Sequence, residues 1–157
     1  MAYIAVQTED FDLSSELHRL RKGQPTIGAV VSFVGLVRDL NQGVAVQNMA
    51  LEHYPGMTEA ALQTIVEQAM QRWALIDVSV IHRVGNLAPL DQIVLVAVAA
   101  AHRGEAFAAC EFIMDYLKTQ APFWKKEQTS AGARWVDARE SDDQALGKWQ
   151  TDATEYK

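Results

Sequence analysis

Cysteine is almost absent from this sequence, which has one, Cys110, in 157 residues. A lone cysteine cannot form an intrachain disulfide and cannot build a cysteine metal cluster. The four histidines, His18, His53, His82 and His102, show no close metal-ligand spacing. The sequence therefore predicts neither a disulfide framework nor a metal site, and no cofactor is expected.

Long apolar runs are also missing. The longest, residues 93–101, is much shorter than the roughly 18 apolar residues that span a bilayer, and it is typical of a buried strand. The first residues, Met1-Ala2-Tyr3-Ile4, lack the basic region and apolar stretch of a signal peptide. We therefore expect a protein of the cytoplasm that does not bind membranes.

An excess of positive charge is the third absence. The formal net charge is −6, which argues against a general nucleic-acid binder because such proteins usually present a basic surface. Apolar residues make up 49% of the chain and charged residues 22%, as in an ordinary globular protein. This balance still allows a local basic pocket.

Hydrophobic periodicity predicts alternating strands and helices. Thr58 is the expected N-cap of the second helix, although no acidic residue three positions later completes a capping box. Phe33 is expected in the core. Helices are predicted at residues 11–22, from Thr58 to about residue 73, and at 102–120, and strands at 3–7, 26–37, 44–54, 77–84, 92–101, 123–128 and 134–138.

This order of elements favours an α+β fold with largely antiparallel pairing, built as a single domain. Residues 38–43 are polar and are predicted to form a turn or loop. We assign residues 1–139 to the domain. Residues 140–157 are a polar, acidic tail whose composition is compatible with partial disorder.

A candidate anion site lies where the strand at 92–101 meets the predicted helix, at His102 and Arg103. A cation at a helix N-terminus is mildly unfavourable, so these side chains make more sense if an anion binds there. The alternative is a surface arginine beside a histidine with a purely structural role. Arg38, which ends an apolar strand, could likewise contact an anionic ligand or cap a strand edge.

Lysines form the second candidate cluster. Lys118 lies near the end of the predicted helix, where pairing with Asp115 is the simpler interpretation. Lys125 and Lys126 follow an uncharged segment, residues 119–124, that contains Pro122, Phe123 and Trp124. Rigid and aromatic side chains beside a lysine partly desolvate its amine. This lowers the pKa of the amine and suits it to proton transfer or nucleophilic attack. Exposed lysines on a hairpin remain the alternative.

Several short blocks together resemble the catalytic large subunit of molybdopterin synthase, the MoaE family. The resemblance spans roughly residues 26–139. The matching blocks, in order, are residues 33–38 (FVGLVR), 51–57 (LEHYPGM), 81–85 (IHRVG), 101–103 (AHR), 112–118 (FIMDYLK), 121–127 (APFWKKE) and 134–136 (RWV).

The resemblance implies an α/β-hammerhead-like fold with an additional antiparallel β-sheet. It implies a sulfurtransferase that takes sulfur from the C-terminal glycyl thiocarboxylate of a small ubiquitin-like partner. The acceptor is cyclic pyranopterin monophosphate, and the product carries the dithiolene of molybdopterin. The family forms a dimer of large subunits with a small subunit at each end.

The resemblance also implies roles for individual residues. Lys118 and Lys125 fall on the family's two active-site lysines, and Arg38, His102 and Arg103 on its anion-binding residues. We group Lys126 with the substrate-binding residues. A non-catalytic module that binds an anion or a pterin, as a sensor or scaffold, is the alternative function.

Three positions depart from the family's pattern. Leu90 stands where glycine is frequent, in the turn before Asp91, and Gly104 stands where serine is common after the His-Arg pair. Lys126 stands where arginine is also common in the family. These departures bear on local geometry and remove none of the proposed catalytic groups.

Overall fold

The structure, a computed structural model, describes residues 2–41, 44–129, 132–136, 144–147 and 149. Its elements alternate as the sequence predicted, with two additional short strands. They are β1 (Ala2–Gln7), α1 (Leu13–Arg21), β2 (Ala29–Leu36), β3 (Leu40–Asn41), β4 (Val44–His53), α2 (Met57–Arg72), β5 (Leu75–Arg83), β6 (Gly85–Leu87), β7 (Gln92–Ala100), α3 (Arg103–Gln120), β8 (Phe123–Thr129) and β9 (Gly132–Val136).

The first sheet has four strands in the order β1-β5-β7-β2. β1 runs parallel to β5, and the other two pairings are antiparallel. The central strands β5 and β7 are covered on both faces. Their even-numbered residues, such as Val80 and Val96, pack with α2 and α3, and their odd-numbered residues, such as Ile81 and Leu95, pack with α1.

The second sheet is built on β4. It has the order β3-β4-β8-β9, with β6 also paired to β4, and all of these pairings are antiparallel. Its inner face supplies Met49 and Leu51 to a smaller core cluster with Val37, Val84 and Leu87. The two sheets and the helices α1, α2 and α3 confirm the α+β, hammerhead-like fold and its additional antiparallel sheet.

The start of α2 corrects the expected cap. Gly56 is the N-cap, in the left-handed region at φ 86°, and the Glu59 carboxylate accepts a hydrogen bond from the Gly56 N–H. Thr58 lies inside the first turn and is buried. Its hydroxyl accepts from the Tyr54 N–H and donates to the Pro122 carbonyl, so it joins α2 to the start of β8.

Phe33 was expected in the core, but its side chain is 41% exposed. It lies on β2, an edge strand of the first sheet. Trp149 gives the opposite result, because it is buried although it lies in the segment that the sequence assigned to a polar tail. Its ring packs against Trp73 and Phe112, and its Nε1–H donates to Asp115.

Leu90 occupies a turn that suits glycine. It has φ 75°, in the left-handed region that costs a side-chain-bearing residue about 1–2 kcal/mol. Its N–H donates to the carbonyl of Val37, and the Val37 N–H donates to the carbonyl of Asp91. This turn therefore fixes the backbone immediately before Arg38.

Among the described helices, none is both long and apolar enough to cross a membrane.

Candidate active site

The two candidate clusters lie at opposite ends of α3. Arg103 is the first residue of this 18-residue helix, and Lys118 lies in its last turn. Fifteen residues separate them, which at 1.5 Å per residue is about 22 Å along the axis. Within one copy of the chain, the start of α3 and the lysine end therefore cannot form one small-molecule site.

The start of α3 has the form that the sequence predicted. β7 ends at Ala100, and His102 is the N-cap with extended backbone and no side-chain capping hydrogen bond. Both His102 and Arg103 are exposed. Two cationic or ionisable side chains thus flank a helix N-terminus, which carries a partial positive charge of its own.

The other end of α3 meets three strands. Lys118 from α3, Lys125 from β8 and His53 from β4 all lie near enough to His82 of β5 that their charges lower the pKa of its imidazole. Lys118 is exposed and makes no ion pair within the described part of the chain, so the predicted pairing with Asp115 is not seen. Lys125 is partly buried.

His82 is a member of this cluster that the sequence did not single out as a site residue. Its side chain is 4% exposed, its ring stacks on Phe123 at 3.8 Å, and its Nδ1 lies 2.8 Å from the carbonyl oxygen of Arg83. Burial lowers the pKa of the imidazole to about 3, and the charges of Lys125 and Lys118 act in the same direction. The ring is therefore uncharged at neutral pH.

Lys125 and Lys126 point to opposite faces of β8. Lys125 pairs with Leu51 of the inner face, whereas Lys126 is exposed and pairs with Ala50. Successive strand residues alternate between faces, so the geometry does not bring Lys126 to the cluster at His82. The grouping of Lys126 with the other site residues therefore has no support from this geometry.

Arg38 is exposed and directly follows the turn that holds Val37. The structure thus brings Lys118, Lys125 and His53 near His82, whereas within one copy the start of α3 lies at the far end of that helix.

Cys110 lies on the buried face of α3. Burial raises the pKa of its thiol to about 11, and the charge of Glu111 adds to the shift. At pH 8 only about one molecule in 10³ then carries the thiolate, the nucleophilic form. We expect iodoacetamide to leave the folded protein unmodified and to alkylate it in denaturant, as measured by intact-mass spectrometry. Rapid alkylation of the folded protein would contradict this.

Among the residues that the structure describes, no group of three or more histidine, cysteine, aspartate or glutamate side chains could hold a metal ion. The cluster at His82 consists instead of amines and imidazoles. These groups bind anions and transfer protons. The described geometry therefore fits an anionic ligand at the lysine end of α3.

Comparison with known proteins assigns the family. A family model described as MoaE protein matches residues 6–120. The molybdopterin synthase catalytic subunit of Ralstonia nicotianae is 69% identical over 149 residues, which cover 95% of this chain and 85% of that protein. The chain belongs to the MoaE family.

Solved structures agree with this assignment. The molybdopterin biosynthesis MoaE protein from Burkholderia ambifaria is 61% identical, with a TM-score of 0.83 over 96% of this chain and 99% of that one. The molybdopterin synthase from Staphylococcus aureus is 32% identical, with a TM-score of 0.78 over 84% of this chain and 95% of that one. The fold implied by the resemblance is therefore confirmed.

Proposed function

We propose that this chain is the catalytic subunit of a molybdopterin synthase. It transfers sulfur from the C-terminal glycyl thiocarboxylate of a small ubiquitin-like partner to cyclic pyranopterin monophosphate, and two transfers build the dithiolene of molybdopterin. The observation that carries the proposal is that the charges of Lys125, from β8, and Lys118, from α3, both act on the buried His82, in a chain of this family.

The lysine end of α3 suits a sulfur donor that arrives on another protein. Lys118 is exposed, so the tail of a partner can reach it, and Lys125 is partly buried. A thiocarboxylate is an anion, and two ammonium groups hold it and stabilise the negative charge that develops during transfer. Lys118 positions the thiocarboxylate, and Lys125 assists substrate binding or proton transfer. The unreactive Cys110 takes no part, since the sulfur comes from the partner.

The phosphate of the pterin requires a second set of cations, for which Arg38, His102 and Arg103 are the candidates. The start of α3 is about 22 Å from Lys118 in the same copy, so a shared site needs a second copy of the chain. A two-fold axis reverses the direction of α3 and can set its start beside the other copy's Lys118. Phe107, which is 61% exposed on the same helix face, supplies an apolar surface for such a contact.

Reconstitution tests the proposal. The purified chain is mixed with a thiocarboxylated small partner and cyclic pyranopterin monophosphate, and the dithiolene product is followed by its conversion to a stable fluorescent derivative. We expect product in proportion to the thiocarboxylate supplied and none with the carboxylate form of the partner. If the chain binds both ligands without converting them, it is a binding module and the enzyme proposal fails.

A further inference from the structure

We propose that Trp149 is a positioning residue for the sulfur transfer: its indole N–H holds the carboxylate of Asp115 away from Lys118, so that the lysine can bind the incoming thiocarboxylate. This inference rests on the proposed function. It concerns the segment that the sequence assigned to a polar tail, of which the structure describes residues 144–147 and 149.

Trp149 is anchored to the two helices that cover the first sheet. Its side chain is 7% exposed, and its ring meets those of Trp73 and Phe112 edge-on, with centroids 5.7 and 5.4 Å away. Arg72, the last residue of α2, donates a hydrogen bond to the Trp149 carbonyl at 3.3 Å. Packing on this scale leaves an aromatic ring little rotational freedom, so the direction of the indole N–H is fixed.

The indole N–H points at α3. Nε1 of Trp149 donates to Oδ2 of Asp115 at 2.6 Å. An indole nitrogen can only donate, and a carboxylate can only accept, so the roles in this hydrogen bond are fixed. A bond to a charged acceptor is stronger than one between neutral groups. The bond therefore restrains the side chain of Asp115 as well as satisfying the buried indole.

The position of Asp115 on the helix connects this contact to the proposed site. Lys118 follows Asp115 by three residues in α3, and side chains at that spacing are neighbours on a helix surface and readily form an ion pair. Within the described part of the chain Lys118 makes no ion pair, whereas Asp115 accepts from Trp149. A released carboxylate would compete with the thiocarboxylate for the same ammonium.

Removing the indole N–H tests the inference in the reconstituted assay. Trp149→Phe keeps an aromatic ring on Trp73 and Phe112 but leaves Asp115 able to turn toward Lys118. We expect kcat to fall about two- to fivefold, because an exposed ion pair of the kind that forms is weak. KM for the pterin should not change, since the proposed phosphate cations are untouched.

Two further variants separate positioning from simple damage. Asp115→Asn added to Trp149→Phe removes the charge that would capture Lys118, so the double variant should regain the wild-type kcat. Trp73→Phe alters the same aromatic cluster without removing the donor to Asp115, and it should leave kcat unchanged. The inference is overturned if Trp149→Phe matches the wild type, or if the double variant is as slow as Trp149→Phe.

A folding failure of Trp149→Phe leaves a second comparison, which keeps the indole. Asp115→Glu carries its charge one methylene farther from the backbone, out of register with the indole N–H and within reach of Lys118. Asp115→Gln has the same length without the charge. Lower kcat in Glu than in Gln supports the inference, and equal kcat overturns it. Absence of turnover in the wild-type chain would instead refute the proposed function, so the two failures are distinguishable.

Discussion

Replacing Lys118 with alanine should lower the rate of dithiolene formation about 10³-fold, since a group that stabilises developing charge contributes about 3–4 kcal/mol to the transition state. The amine is the exposed member of the pair at the end of α3 and is the first cation that an incoming thiocarboxylate tail meets. Single-turnover kinetics with preformed thiocarboxylated partner measure this step directly, because they separate binding from chemistry.

The loss should not come from unfolding. Lys118 makes no ion pair within the described residues, and its favourable position in the last turn of α3 is worth only about 0.3–1 kcal/mol. Lys22→Ala, at the exposed C-cap of α1, is the matched control and should leave turnover unchanged. Lys118→Ala with turnover within a few-fold of the wild type would remove this lysine from the mechanism.

Much of the fold could be predicted from sequence because its long elements have strong periodicity. α3 carries an apolar stripe over its whole length, and β7 is an uninterrupted apolar run, so both were located within one or two residues. The strands β8 and β9 were likewise predicted, at residues 123–128 and 134–138. The parallel pairing of β1 with β5 was not, because strand order depends on contacts distant in sequence.

The short strands escaped prediction for a physical reason. β3 has two residues and β6 has three, too few for any hydrophobic alternation to be recognised. Both exist because β4 offers them backbone partners, so tertiary pairing decides their conformation. The cap of α2 was missed because Thr58 was taken as the N-cap, although the carboxylate of Glu59, three residues after Gly56, accepts a hydrogen bond from the Gly56 N–H.

The site was predictable in part. Side chains alternate between the two faces of a strand, so the sequence of β8 already implied that Lys125 and Lys126 lie on opposite faces. Applying this rule would have separated Lys126 from the site. His82 also left a signal, since it falls on the buried register of Val78 and Val80. Its nearness to Lys118 left none, because the two residues belong to different elements and meet only after α3 has packed on the first sheet.

The length of α3 leads to the second large effect. If the phosphate cations of one copy serve the lysines of another, then Arg103→Ala and Lys118→Ala remove opposite halves of each shared site. Each variant alone should be almost inactive, the first through loss of a bidentate phosphate contact and the second through loss of the amine. Neither change touches the core, since both side chains are exposed.

Co-expressing the two variants should restore activity that neither has alone. Random pairing makes about half of the dimers mixed, and each mixed dimer has one intact site of two, so turnover should recover to about a quarter of the wild-type value. The Arg103→Ala, Lys118→Ala double variant co-expressed with either single variant is the control and should recover nothing, because no pairing then restores an intact site. Recovery is impossible if both cations act within one copy, and a fully active Arg103→Ala variant would remove this guanidinium from the site altogether.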